Sequence, residues 1–172
     1  MTDLMDNLDI RILSLLQSDV SLPVTEIAEQ LGSSKSVVWR RIQRMLESGL
    51  IRERVAILDP KKLGLGMIVF SHVKMSKHGR GALPRFIEAI KGFPQVVECH
   101  TLMGDVDFLL KIVVRDIAEY EDFFWHELSQ IEGVREVSSS ISMSQVVSTT
   151  RLPLQPPRRT SGVPRPAGPE RT

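Results

Sequence analysis

Gly32 separates two short segments in which apolar residues repeat at helical spacing, and this pattern strongly limits what the first third of the chain can form. Residues 24–31 predict one helix, and Gly32 can take the left-handed conformation that ends it. Ser34 can cap a third helix over residues 35–48. Together with an amphipathic first helix over residues 8–18, these segments predict a helix-turn-helix.

Basic residues are concentrated in the same part of the chain. Residues 33–62 contain eight lysines and arginines against three acidic residues, whereas residues 1–32 contain one arginine against six acidic residues. The whole chain of 172 residues has a net charge of only +1, so it is not a polybasic protein. A local basic block in a neutral chain predicts one surface that binds a polyanion.

The third helix contains the candidates for DNA contact. A recognition helix presents short polar and long cationic side chains to the major groove. Arg40 is the candidate for a base edge, because a guanidinium can bond guanine through two hydrogen bonds. Arg41 and Arg44 either contact phosphates or support the helix, and Trp39 either contacts DNA or packs against the first helix. The candidate DNA-binding residues, in a motif at about 24–43, are Ser34, Lys35, Ser36, Trp39, Arg40, Arg41 and Arg44. The alternative is an ordinary solvated basic helix face.

A different rhythm follows the helix-turn-helix. Residues 50–58 are rich in β-branched side chains and predict a short strand, a wing or hinge that pairs near Met67. From there the order is strand, helix, strand, strand, helix, strand. The fold class is therefore α+β, with an N-terminal helix-turn-helix (winged-helix-like) domain followed by a ferredoxin-like βαββαβ domain. The predicted strands cover residues 67–75, 95–102, 107–115 and 134–148, and the predicted helices cover 82–92 and 117–131.

These elements predict three parts of the chain. We expect a DNA-binding domain with its hinge strand over 5–66 and a ligand-binding and oligomerisation domain over 67–152. Residues 153–172 contain six of the ten prolines and no apolar period, which is typical of a disordered Pro/Arg-rich tail. A four-stranded sheet with helices on one side leaves its other face in need of cover. We therefore expect homodimers in which sheets meet back to back and bury Val69, Val73 or their alternates.

Several other classes of protein are not favoured by the sequence. There is no run of about 18 apolar residues to cross a membrane and no secretory signal pattern. Cys99 is the one cysteine, which excludes an internal disulfide framework. The four histidines do not follow zinc-ligand spacing, and no P-loop or catalytic triad order is present. We expect a cytoplasmic protein with no membrane partner, no metal, no cofactor and no catalytic residues.

Three stretches of the chain form a recognisable set when they occur in this order: LDIRILSLLQSD, VTEIAEQLGSSKSVVWRRIQRMLESGLI and VVECHTLMGDVDFLLKIVV. Together they resemble the Lrp/AsnC (leucine-responsive, feast/famine) family of transcription regulators. The resemblance covers roughly residues 5–152. It implies a sequence-specific regulator of double-stranded DNA, a homodimer that assembles to an octamer or similar. It also implies that a small amino acid or related metabolite modulates this assembly or the DNA affinity.

The resemblance places the effector at the turn in the middle of the third stretch. Asp105 or Asp107 would take the ligand ammonium, and backbone N–H groups near Gly104 would take its carboxylate. A plain hairpin turn is the alternative, because Gly and Asp suit turns in any case. Val106 and Ser140 depart from the family pattern, so the identity of the effector does not carry over. The candidate effector-binding residues are Thr101, Met103, Gly104, Asp105, Asp107 and Ser142.

Two other functions fit parts of this pattern. The first is a siroheme decarboxylase-like tetrapyrrole enzyme subunit, which shares the two-domain layout and would use His100 and His126. The second is a metabolite-binding module without DNA activity, in which the helix-turn-helix only packs against a partner. A visible spectrum with siroheme tests the first, and a gel shift tests the second.

Overall fold

The computed structural model describes residues 5–76 and 81–154, which form two compact units. The first unit contains the described residues up to Ala56 and the segment that begins at Ser148. The second unit is Ile57–Val147. The chain therefore passes between the units twice. Segment 57–66 groups with the second unit and segment 148–152 with the first, whereas the sequence suggested boundaries at 66 and 152. The predicted tail beyond Leu154 lies outside the described residues.

Three helices build the first unit, as the sequence predicts: α1 (Asn7–Leu16), α2 (Val24–Leu31) and α3 (Lys35–Glu47). Gly32 ends α2 in the left-handed conformation, at φ 62°. Ser34 caps α3, because its hydroxyl accepts a hydrogen bond from the Val37 backbone N–H at 3.3 Å. A helix-turn-helix is thus formed by α2 and α3, with α1 packed beside them.

The three helices share one apolar core. Its fully buried members are at most 2% exposed, and each side chain of this kind contributes about 1.5–3 kcal/mol relative to exposure in water. They are Ile12, Ile27, Val38, Ile42 and Met45. Because α3 contributes three of the five, one face of α3 is fixed inward and the opposite face is fixed outward.

The strand predicted over residues 50–58 is wrong. Residues 52–59, which are all described, have no regular secondary structure. Val55 and Ile57 are 64% and 75% exposed. β-branched side chains favour a strand only where a neighbouring strand completes the backbone hydrogen bonds and covers one face. Neither condition is met among the described residues, so residues 52–59 form no wing there.

The second unit has the predicted ferredoxin-like order. All pairs in its four-stranded sheet are antiparallel, and the strand order is β2-β3-β1-β4. The elements are β1 (Met67–Met75), α4 (Ala82–Lys91), β2 (Val96–Thr101), β3 (Phe108–Val114), α5 (Ile117–His126), a short 3-10 helix (Leu128–Gln130) and β4 (Val134–Ile141).

Two elements end earlier than the sequence suggests. β4 stops at Ile141 because Ile141 pairs with Val69, near the start of β1, and little of β1 remains to pair with. α5 stops at His126, since Glu127 leaves the helical conformation. That break turns the fully buried Leu128 into the core.

Helices cover only one of the two faces of the sheet. Val69 and Val73 are fully buried in the core beneath α4 and α5. They cannot meet a second sheet, so the expectation that named them is wrong for these two residues and stays a prediction for their alternates. Strand alternation places those alternates on the open face: Ile68, Phe70, His72 and, across the ladder, Leu109. None of the helices in the described part of the chain has the length and apolar content to span a bilayer.

Gly133 gives a test of the packing between β4 and its neighbours. Its φ is 91°, and an added Cβ would lie 2.6 Å from the Cβ of Ala82 and 3.2 Å from the Cε of Met75. Gly133→Ala should lower the free energy of unfolding of the second unit by about 2–4 kcal/mol, from backbone strain and overpacking together. Urea titration measures the loss. Gly66→Ala is the control, because its Cβ would meet open space. Equal stability of the two variants would refute this packing.

Candidate DNA-binding helix and ligand turn

Asp9, on α1, holds two arginines of α3. Its side chain is 2% exposed, and each carboxylate oxygen accepts from one guanidinium. Arg41 Nη1 lies 2.8 Å from Oδ1, and Arg44 Nη2 lies 2.8 Å from Oδ2. Arg41 also donates to Asp6 at 2.6 Å. We call these four residues the Asp9 clamp. Two cations of the candidate recognition helix are therefore directed toward α1.

The clamp is also tied to the start of α1. The Asp6 carboxylate accepts from the Asp9 N–H at 2.9 Å, and the Asp9 carboxylate accepts from the Asp6 N–H at 3.3 Å. The Asp9 N–H lowers the pKa of Asp6, and the Arg41 hydrogen bond lowers it further. Hydrogen bonds to Asp9 and then to Asp6 raise the pKa of Arg41. The same reciprocal pair that caps α1 therefore also fixes α3.

The opposite face of α3 points outward. At 100° per residue, Ser36, Arg40 and Glu47 lie opposite the buried stripe. Ser36 and Arg40 are exposed, and Arg40 forms no ion pair with any described residue. Trp39 is 55% exposed, so much of its surface is open to solvent beside Arg40. Lys35 is exposed beside the Ser34 cap. The seven predicted DNA-binding residues thus divide into an outward group and the clamped pair.

Sequence reasoning missed the role of Asp9. Asp9 is 32 residues from Arg41 in the chain, and its acidic type is equally typical of an ordinary helix start. The two side chains meet only because α1 and α3 share one core, so no local signal in the sequence identifies the pair.

The candidate ligand turn joins β2 to β3. The Leu102 N–H donates to the Asp107 carbonyl at 2.8 Å and closes the turn. The Asp107 N–H donates to the Val73 carbonyl at 2.9 Å, and its carboxylate accepts from the Met75 N–H at 2.7 Å. Asp107 therefore fastens the turn to the end of β1. Asp105 is exposed and has no partner among the described side chains or backbone groups.

The remaining effector candidates do not all gather at this turn. Met103 is fully exposed next to Gly104, whose φ is 153°, and Thr101 ends β2 beside the turn. Ser142 is elsewhere, because its N–H donates to the Ile68 carbonyl at 2.8 Å. Ile68 and Val73 are about 16 Å apart along β1 at the usual strand rise. One protomer therefore brings together five of the six candidates and leaves Ser142 at the other end of the sheet.

The two histidines of the tetrapyrrole alternative do not converge. His100 lies on the open face of the sheet and contacts Glu98 at 3.4 Å. His126 lies at the end of α5, on the covered face, and contacts Asp122 at 3.0 Å. Within residues 5–76 and 81–154, no group of three His, Cys, Asp or Glu side chains could hold a metal ion. The structure gives this alternative no support.

Known proteins share both units. Residues 5–46 match the AsnC-type helix-turn-helix domain, and residues 68–152 match the Lrp/AsnC ligand binding domain. The glutamate uptake regulatory protein of Zymomonas mobilis is 37% identical over 87% of this chain and 91% of that protein. An AsnC family transcriptional regulator from Agrobacterium tumefaciens has a solved structure with 46% identity and a TM-score of 0.82, covering 87% of this chain and 97% of that one. The complex of a transcriptional regulator from Neisseria meningitidis with L-Met has 30% identity and a TM-score of 0.83, covering 87% and 96%.

Asp9→Asn tests the clamp. An amide cannot neutralise two guanidinium groups, so the first unit should lose about 3 kcal/mol of unfolding free energy, at the low end for broken buried pairs because Arg44 is half exposed. Hydrogen exchange at the amides of α1 and α3 measures the loss. Glu47→Gln is the matched control on the exposed face of α3 and should stay within about 0.5 kcal/mol. Similar protection in both variants would contradict the clamp.

Proposed function

This chain belongs to the Lrp/AsnC family of DNA-binding transcriptional regulators, and we propose that α3 enters the major groove of double-stranded DNA with Arg40 at a base edge. The observation that carries this proposal is the division of the α3 cations. Arg40 is exposed and unpaired among the described residues, whereas Arg41 is held on Asp9. A free guanidinium in the middle of an outward helix face can form two hydrogen bonds with guanine.

The other α3 residues take supporting roles. Ser34, Lys35 and Ser36 lie at the helix N-terminus, where short hydroxyl side chains and a cation suit phosphate contacts. Trp39 offers an exposed apolar edge beside Arg40 for a thymine methyl or a sugar. Arg41 and Arg44 support the helix through the clamp. In this proposal, residues 5–66 serve DNA binding, and residues 67–152 serve ligand binding and oligomerisation.

A small amino acid or related metabolite binds at the turn after β2. Asp105 takes its ammonium, and backbone N–H groups near Gly104 take its carboxylate. Asp107 is a positioning residue, since its carboxylate is already engaged by the Met75 N–H. Thr101 and Met103 border the site. The L-Met complex of the related Neisseria meningitidis regulator supports this class of ligand. Ser142 takes part only if another subunit supplies it.

Copies of the chain associate into homodimers and then into an octamer or similar ring. The open sheet face supplies the first contact, because Phe70 and Leu109 there have no cover from the helices. A ligand changes DNA binding only if it binds one assembly or geometry better than another. Its effect on assembly and its effect on DNA affinity are therefore linked.

Salt titration of DNA binding tests the division of the cations. The operator is first identified by selection from random duplexes. For the wild type, log K should fall steeply with log[salt], by about 0.9 per phosphate contact. Arg40→Gln should lose about 1–3 kcal/mol of discrimination at one base pair. Arg41→Gln should lower stability and leave the salt slope unchanged. A flat wild-type line would contradict DNA binding, and equal loss on specific and random DNA in Arg40→Gln would contradict base reading.

A thermal-shift panel of the twenty amino acids tests the ligand turn. At least one should raise the Tm of the wild type, since a ligand that binds only the folded state stabilises it. Asp105→Asn should abolish that shift without changing the Tm of the free protein, because Asp105 bonds to none of the residues that the structure describes. Asp122→Asn, an exposed acid on α5, should leave the shift intact. A shift retained in Asp105→Asn would remove this residue from the site.

A further inference from the structure

The side chain of Gln17 binds the backbone of a residue near the far end of the chain. Its Nε2 donates to the Leu152 carbonyl at 3.1 Å, and its Oε1 accepts from the Leu152 N–H at 2.9 Å. One side-chain amide thus pairs with both the N–H and the C=O of one residue, as a residue on a neighbouring strand would. Gln17 is the residue that ends α1, and both partners belong to the first unit. The Leu152 side chain is 68% exposed, so the contact recognises backbone and not an apolar group.

Local bonds prepare this segment for the contact. The Arg151 N–H donates to Thr149 Oγ1 at 3.1 Å, and the Leu154 N–H donates to the Leu152 carbonyl at 2.9 Å. Pro153 follows Leu152 and restricts it to extended conformations. An extended residue displays its N–H and C=O outward, which is the geometry that a side-chain amide needs.

The two crossings between the units leave the sheet side by side. Segment 57–66 enters β1 at Met67, and segment 142–147 leaves β4 after Ile141. β1 and β4 are antiparallel neighbours in which Ile141 pairs with Val69. The Ser142 N–H still donates to the Ile68 carbonyl. The two crossings therefore begin about 5 Å apart, the spacing of paired strands.

We propose that segment 142–152, fastened by Gln17, is a second tether that limits rotation of the helix-turn-helix unit, and that Gln17 is a positioning residue for operator binding. A single crossing can twist about its own backbone bonds, whereas two adjacent crossings resist twisting. The restraint reaches α3 through α1. Gln17 holds the C-terminal end of α1 to the tether, and Asp9 near its N-terminal end holds Arg41 and Arg44.

This inference rests on the proposed DNA binding by a dimer. Two recognition helices in successive major grooves need half-sites about 10 bp apart, on one side of the duplex. A unit whose rotation is already limited loses less conformational entropy when it takes up that geometry, so binding costs less free energy. The same tether should weaken binding to half-sites on opposite sides of the duplex. The tether should therefore affect the spacing preference and leave the affinity for one half-site unchanged.

The experiment measures Kd for the selected operator, for a version with about 5 bp inserted between half-sites, and for a single half-site. For the wild type we expect the insertion to weaken binding about tenfold or more, within the usual range of coupling between sites. Gln17→Ala should reduce that penalty several-fold and keep the single half-site Kd within about twofold. Leu152→Pro removes the N–H that donates to Gln17 Oε1, so this variant should give the same result as Gln17→Ala. Leu152→Ala keeps both backbone bonds and should behave as the wild type.

Two truncations of the full chain separate the tether from the residues beyond it. A chain that ends at Leu154 keeps the contact and should show the wild-type penalty. A chain that ends at Val147 lacks it and should match Gln17→Ala. The inference is overturned if the wild type shows no penalty, if Gln17→Ala and the shorter chain retain it, or if they weaken single half-site binding in parallel. Failure of the wild type to bind any duplex would instead overturn the proposed function, and the tether's role with it.

Discussion

The buried carboxylate of Asp9 determines how the candidate recognition helix is presented. Taking a carboxylate out of water is costly unless charged donors satisfy it, and here two guanidinium groups do so. That requirement reinforces the rotation of α3 that its buried apolar face sets. Because Arg41 and Arg44 turn toward α1, the outward face is left to Ser36 and Arg40. A basic helix thereby acquires distinct supporting and contacting residues.

A comparable division appears in the second unit. Asp105 and Asp107 are two residues apart in one turn, and the sequence treats them as equivalent candidates. The Met75 N–H engages Asp107, so that residue shapes the turn and Asp105 is left to meet a ligand. In each unit, one charged residue that the sequence offers as a binding residue instead stabilises the local structure: Arg41 in the first unit and Asp107 in the second. The exposed residue nearby, Arg40 or Asp105, makes the proposed contact with DNA or ligand.

The helix-turn-helix and the βαββαβ order could be predicted because periodicity, caps and turn residues are local signals. What the sequence missed depends on partners that are distant in the chain. Residues 50–58 have strand-like composition but pair with no strand in the described part of the chain. Asp9 meets Arg41 only after the helices pack. Ser142 is separated from the ligand turn by the length of β1. Val69 and Val73 face the helices because the register of the strand decides which of its two alternating sets of side chains is buried.

The most direct test of this account is a structure of the full chain bound to its selected operator. We expect the Arg40 guanidinium to lie about 3 Å from a base edge in the major groove. In the same complex, Arg41 should remain on the Asp9 carboxylate. Arg41 released to a phosphate while Arg40 faces solvent would contradict the central role of Asp9, as would α3 lying outside the groove.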